Sequence, residues 1–129
     1  MKYFYTATFS PMNGKIVARV PDLPGCVTTG KDLSEAMDLI EDAAGGWLVV
    51  AEDNNYPIPE ASDQALIEME PDAKMSMLRI DTIAYRAATD IRAVRKNVSI
   101  PAWMDNLATK RGINCSKLLQ ESLRSVFES

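Results

Sequence analysis

At 129 residues, 47% hydrophobic and 25% charged, the chain has the composition of a soluble globular protein with room for one ordinary domain or two small ones, which excludes disorder throughout. Its longest apolar stretch, around Trp47 to Ala51, falls far short of the roughly 20 residues that span a bilayer, and the N-terminus lacks a basic-then-apolar signal pattern, so no membrane segment and a cytoplasmic location are expected. The net charge of −4 conceals an asymmetry: residues 1–70 hold 4 Lys and Arg against 12 Asp and Glu, a balance of −8, whereas residues 71–129 hold 10 against 6, a balance of +4.

Lys2 to Phe9 alternates, with Tyr3, Tyr5, Ala7 and Phe9 on one face and Phe4, Thr6 and Thr8 on the other, which predicts a strand. Pro11-Met12-Asn13-Gly14 is a turn with a strong hairpin signal in Asn-Gly. Lys15 to Val20 returns as a second strand, and after Pro21-Asp22-Leu23-Pro24-Gly25 a short third strand runs from Cys26 to Thr29. Asp32-Leu33-Ser34-Glu35 has the form of a capping box. Leu33, Ala36, Met37, Ile40, Ala43, Ala44, Trp47, Leu48 and Ala51 follow at helical spacing, predicting a long helix that covers the sheet.

The other face of that helix, with Glu35, Asp38, Glu41, Asp42 and Glu52, is acidic, as a solvated face often is. Gly45-Gly46 weakens the helix by roughly 1 kcal/mol per Gly, and close packing against the sheet is the expected reason. Asn54 to Asp63, with Tyr56-Pro57-Ile58-Pro59, is a loop. Either Ala65 to Met69 or Met75 to Ile80 closes the sheet, and the second alternates better. Residues 81–93, with Ile83, Ala84, Ala87, Ala88 and Ile91, are expected as a short helix joining a first domain, residues 1–80, to a second, residues 94–129.

The second domain opens with Arg95 to Ile100, an alternating run that places Arg95, Asn97 and Ser99 on one strand face. Pro101 suits the first turn of a helix to about Arg111, with Trp103, Met104, Leu107 and Ala108 on one stripe. Gly112 is the stop. Asn114 is a good N-cap for a second helix, which carries Cys115, Leu118, Leu119, Leu123, Val126 and Phe127 at spacings of three and four and ends at Ser129. Roughly 35 residues are too few to bury a core alone, so two copies must share one. A polar-faced strand paired antiparallel with its twin makes a ribbon of the width the DNA major groove admits.

This ordered set resembles the ribbon-helix-helix family of DNA-binding repressors over about residues 94–128. On that pattern Arg95, Asn97 and Ser99 correspond to the base-reading face, and Asn114, Cys115 and Ser116 to the helix N-terminus that clamps a backbone phosphate, where Lys117 adds a further cation. A homodimer is implied. The other reading is a protein-interaction module whose C-terminal element only dimerises; salt-dependent binding to duplex DNA separates the two.

Val20-Pro21-Asp22-Leu23-Pro24-Gly25-Cys26, then Thr28-Thr29-Gly30, Leu33-Ser34-Glu35-Ala36 and Ile58-Pro59-Glu60-Ala61-Ser62, resemble the N-terminal domain of HicB-type antitoxins. The resemblance implies an α+β chain with a partial ribonuclease-H-like β-β-β-α-β domain, and a partner in the form of a small basic HicA-type toxin that cleaves messenger RNA. The expectation built on both resemblances is an antitoxin that also represses its own operon, with a tetramer of two ribbon dimers as a further assembly. The acidic N-terminal half agrees independently, since it would steer a basic toxin. Asp22, Glu35, Asp38, Glu41 and Asp42 are the candidate toxin contacts.

No enzymatic role is expected. Two-metal phosphodiester chemistry needs converging carboxylates, and Lys2 to Phe9 has none. Asp22, in a Pro-flanked turn, is expected to bond locally to backbone. No cofactor or metal site is expected either, because Cys26 and Cys115 are the only cysteines and His is absent, which removes zinc spacing, a disulfide framework and the commonest general base. The methionines are expected to fill apolar gaps, and Trp47 and Trp103 to lie in cores.

Overall fold

Asn13 and Gly14 both take positive φ, 51° and 77°, as the two central residues of a type I′ turn must. They join strand β1 (Lys2–Met12) to β2 (Lys15–Arg19), and β3 (Val27–Gly30), helix α1 (Leu33–Asn54), β4 (Lys74–Asp81) and helix α2 (Thr82–Thr89) follow. Helices α3 (Ala102–Lys110) and α4 (Cys115–Glu128) complete an α+β chain. The computed structural model describes residues 1–128; the expected helix end at Ser129 lies outside the described residues. The chain divides into two units, Met1–Thr89 and Asp90–Ser129.

In the first unit the strands form one antiparallel sheet in the order β3-β2-β1-β4. The odd positions of β1 point where alternation placed them: Tyr5, Ala7 and Phe9 are buried with Ala18, Leu78 and Ile80 beneath Ala36, Ile40, Ala44 and Leu48 of α1. β1 runs on past the expected end at Phe9, through Pro11. Proline is tolerated there because β4 pairs only as far as Phe9, and Pro11 opposes Ile16 in a non-hydrogen-bonded pair, so its missing N–H would have faced no strand. Of the two candidates for the last strand, the second is observed; Gln64–Leu66 is a 3₁₀ turn instead.

Asp32 caps α1 as expected, but the reciprocal bond of the capping box shifts by one residue, to Lys31. Glu35 donates its backbone N–H to Asp32 Oδ1 at 2.9 Å, and its own carboxylate accepts from the Lys31 N–H at 3.2 Å. The glycine pair has a different cause from the one expected. A Cβ at Gly45 would lie 2.5 Å from Tyr85 Cδ2, and one at Gly46 would lie 3.2 Å from the Tyr85 hydroxyl oxygen, so the pair makes room for α2, not for the sheet. The methionine expectation fails in part: Met37 and Met75 are half-buried, but Met12, Met69 and Met77 are exposed.

Glu52, near the end of α1, joins three elements. Its Oε2 accepts from the Tyr3 hydroxyl at 2.8 Å and from Thr82 Oγ1 at 3.0 Å, while Arg86 Nη2 lies 3.1 Å from Oε1 and 2.8 Å from Asp53 Oδ1. Burial together with the Glu52 hydrogen bond pushes the Tyr3 hydroxyl up to about 12. Asp81 opens α2, accepting from the Ile83 and Ala84 N–H groups at 3.0 and 3.2 Å. These bonds, that to Ala84 first, hold its carboxyl below the usual value.

Gly45→Ala should destabilise the protein by about 1–3 kcal/mol through overpacking, whereas in a Tyr85→Ala background the same change should be neutral or favourable by up to about 1 kcal/mol of helix propensity; urea unfolding of the four proteins measures the coupling. Asp81→Ala should cost about 1 kcal/mol at neutral pH through removal of the cap. Because the folded carboxyl titrates below its unfolded value, that contribution is complete above about pH 4 and disappears as the pH falls through the lowered value, so wild type and variant should converge in acid.

Candidate functional site

The second unit is two helices without a core of their own. Pro101 precedes α3, and its carbonyl accepts from Met104 and Asp105. At the other end Gly112, at φ 64°, lets the Ile113 N–H reach the Ala108 carbonyl at 3.0 Å and its own N–H reach Thr109 at 3.2 Å, a Schellman stop. Asn114 caps α4, its Oδ1 accepting from the Lys117 N–H at 3.0 Å. The Cys115 and Ser116 N–H groups thus remain at the helix start without an intrahelical acceptor, in a position suited to an anion.

No described residue of α3 or α4 is buried. Val98, Ile100, Trp103, Leu107, Leu118 and Leu119 are among those lining one apolar concavity of about 610 Å³. Trp103, expected in a core, is 61% exposed in the single chain.

Arg95 to Ile100 is not a strand in the single chain, and residues 90–101 carry no regular secondary structure. This departs from the alternating pattern for a physical reason. A strand exists through the hydrogen bonds of a neighbour, and no other described segment of this unit is a strand. Arg95, Asn97 and Ser99 are all exposed. Just before them Arg92 grips Asp90 with both Nε and Nη2 at 2.9 Å, holding that carboxyl down at about 2.

In the first unit the acidic candidates differ in what they already hold. Asp38 and Glu41 are exposed on α1. Glu35 is engaged at the start of α1, and Asp42 stands near the Tyr85 hydroxyl, whose ionisation is suppressed by burial and by this carboxylate. Asp22 does not bond locally as expected. Its carboxylate accepts from the Ser62 N–H at 2.8 Å and the Ser62 hydroxyl at 2.6 Å, closing the Leu23 turn onto the loop after α1. In the same region the Tyr5 hydroxyl donates to the Pro59 carbonyl, and Trp47 Nε1 donates to the Pro24 carbonyl at 3.0 Å. Trp47 packs against the core from the helix side, and Cys26 is buried, which pushes its thiol pKa up.

Sequence reasoning missed the Glu52 cluster and the Asp22–Ser62 tie. Both join residues far apart in the chain, and neither partner stands out by spacing. Among the described residues no group of three or more His, Cys, Asp or Glu is placed to hold a metal ion, and no helix is long and apolar enough to cross a membrane.

The family model for HicB-like antitoxins of bacterial toxin–antitoxin systems matches residues 12–122. No curated protein sequence matches the chain. Among solved structures, a chain of a toxin–antitoxin complex from Streptococcus pneumoniae superposes with a TM-score of 0.61 at 20% identity, covering 97% of this chain and 99% of that one. The antitoxin HicB of Burkholderia pseudomallei gives 0.56 at 20% identity, covering 98% of both chains. A chain of a HicA3 and HicB3 toxin–antitoxin complex gives 0.50 at 17% identity over 60% of this chain and 98% of that one. At these identities the structures establish a shared fold.

If Asp22 holds the loop in this way, Asp22→Ala should cost about 1–3 kcal/mol. Adding Ser62→Ala to it should then cost little more, because the two act as one unit. Urea midpoints of the single and double variants decide the point.

Proposed function

This chain belongs to the HicB-like antitoxins of bacterial toxin–antitoxin systems, and from that premise we propose that it acts on two partners. Its N-terminal unit binds and neutralises a HicA-type toxin, and its C-terminal unit, as a dimer, enters the major groove of its own operator and represses the operon. The protein works by occlusion and carries no catalysis of its own.

The observation that carries the DNA half is the uncovered apolar face of α3 and α4. A stop-and-cap pair of helices with no buried residue among those described is half of a core, and a second copy supplies the other half with the same residues. That copy also brings a twin of Arg95–Ile100, so the segment without a partner in one chain gains one in two. The resulting ribbon-helix-helix presents Arg95, Asn97 and Ser99 to base edges. Arg bonds guanine O6 and N7, Asn bonds adenine N6 and N7, and Ser takes either partner. The N–H groups of Cys115 and Ser116, with Asn114 as cap and Lys117 beside them, take a flanking phosphate.

The toxin half rests on charge and on family membership. The balance of −8 over residues 1–70 favours encounter with a basic protein, and Asp38 and Glu41 are the α1 carboxylates best placed to meet it, with Glu35, Asp42 and Asp22 also tied into the domain's own structure. Association of the N-terminal units would join two dimers into a tetramer and raise the effective concentration at paired half-sites.

In an anisotropy titration, wild type should prefer its own upstream DNA over random duplex and weaken as salt rises. Asn97→Ala should lose about 1–3 kcal/mol on the cognate site alone, and Lys117→Ala should weaken all duplexes and flatten the salt slope by about 1. Leu118→Glu should sediment as a monomer and lose operator binding while still capturing toxin. If Asn97→Ala binds both duplexes as wild type does, the C-terminal unit is a dimerisation element only.

A further inference from the structure

We propose that the face of the N-terminal sheet turned away from α1 binds single-stranded nucleic acid, through a surface distinct from both the acidic helix and the C-terminal ribbon. Register determines which side chains stand there. Residues directly opposite one another share a face, so the pairs Phe4 with Arg79, Thr6 with Met77, Thr8 with Arg19 and Met12 with Lys15 all stand on the side that does not pack on the helix. Lys2 lies on that face too, opposite Asp81, which is the only carboxylate among the strand residues there.

Charge is distributed unevenly between the two sides of this unit. The unit is strongly acidic, yet its open sheet face carries Lys2, Lys15, Arg19 and Arg79, all exposed. Among the described residues Lys15, Arg19 and Arg79 make no ion pair, whereas Lys31 and Arg86 are matched to Glu35 and to Glu52 and Asp53. Cations left unpaired in a domain rich in carboxylates, and gathered on one face, suit a polyanion.

What lies between the cations points to the kind of polyanion. Phe4 is 52% exposed and Met77 51%, whereas Thr6, Thr8 and Ser10 between the strands' larger side chains are buried. The Thr6 hydroxyl is buried without a hydrogen-bond partner among the described residues. An exposed aromatic ring on a sheet, with a guanidinium beside it and further cations along the face, is a platform on which an unpaired base stacks while its phosphates meet the cations. A duplex keeps its bases stacked inside and would leave the ring unused. Arg79 stands opposite Phe4 on β4, and Arg19 stands on β2 opposite Thr8, four positions further along β1 and about 13 Å on, so a strand that stacks a base on the ring meets one guanidinium beside it and the second further along.

The test uses the full-length protein and labelled oligo-dT and oligo-U of about ten nucleotides, within the footprint of small single-strand binders, followed by anisotropy at several salt concentrations. Arg19→Ala with Arg79→Ala should weaken binding roughly tenfold or more and flatten the salt slope by about 1.4, at about 0.7 for each phosphate left without a cation. Phe4→Leu should weaken it at least about fivefold with the slope unchanged, because stacking and not charge is removed. Arg95→Ala with Lys117→Ala should leave it close to wild type while abolishing operator binding, so this site and the proposed ribbon fail separately. Unchanged urea midpoints would show that the variants fold. Stronger binding of oligo-U than of oligo-dT would assign the surface to RNA, the reverse to DNA. The proposal is overturned if neither oligonucleotide binds, if the Arg19 and Arg79 substitutions leave binding unchanged, or if they only shift the sedimentation coefficient. A shift alone would make the face a contact between copies.

Discussion

The apolar face of α3 and α4 cannot remain in water. An amphipathic helix gains its stability from burying its stripe, and each fully buried Leu or Met contributes about 1.5–3 kcal/mol, yet in the single chain Trp103, Met104, Leu107, Leu118 and Leu123 all stay exposed. The local signals in this unit are complete: a proline start, a Schellman stop at Gly112 and an Asn114 cap. Local order without a core defines a half-structure, whose other half must be supplied by something of matching shape. A second copy is the economical source, and it resolves a second deficit at the same stroke, the unpaired backbone of residues 95–100. In the proposed dimer, association, strand formation and the creation of a groove-reading face would be one event.

The first unit meets the opposite situation, a complete core with more surface than it needs. One helix covers one face of a four-stranded sheet, so the layers present different chemistry to solvent. On the helix side are Asp38 and Glu41; on the sheet side are Arg19, Lys15 and Arg79. Glu52 keeps the layers together at one end, accepting from Tyr3 on β1 and Thr82 on α2 while pairing with Arg86. Asp22 ties the turn between β2 and β3 to the loop after α1, through Ser62. Both carboxylates count towards the acidic half of the sequence, but they work inside the domain, so the charge available to a partner is smaller than composition suggests.

Much of the fold is legible in the sequence because it rests on local rules. Period-two alternation places Tyr5, Ala7 and Phe9 in the core, Asn-Gly marks the hairpin, and Asp32 with Glu35 marks the start of α1. The misses share a cause, which is that the deciding neighbour lies far off in sequence or in another molecule. Gly45-Gly46 can be recognised as needing a close neighbour, but Tyr85 cannot be identified as that neighbour without knowing that α2 folds back on α1. Pro11 reads as the end of a strand because the point where β4 stops pairing is not a local property. The alternation of residues 95–100 does not describe the single chain, where the segment carries no regular secondary structure, because a strand needs a hydrogen-bonding neighbour and no other described segment of this unit is one.

The asymmetry of charge sets a condition on how the two proposed activities coexist. At physiological ionic strength fields decay over about 8 Å, so an acidic unit tethered to a DNA-bound ribbon opposes binding only when its carboxylates come within roughly that distance of phosphate. A basic toxin seated on α1 would neutralise those carboxylates where they matter and remove the repulsion, whatever direct contacts it makes. The cations on the sheet face away from α1 would act in the same direction without a partner, by lowering the repulsion a phosphate backbone meets on that side. Segregating the charge by face, instead of spreading it evenly, would allow one small domain to attract a basic protein on one side while tolerating nucleic acid on the other.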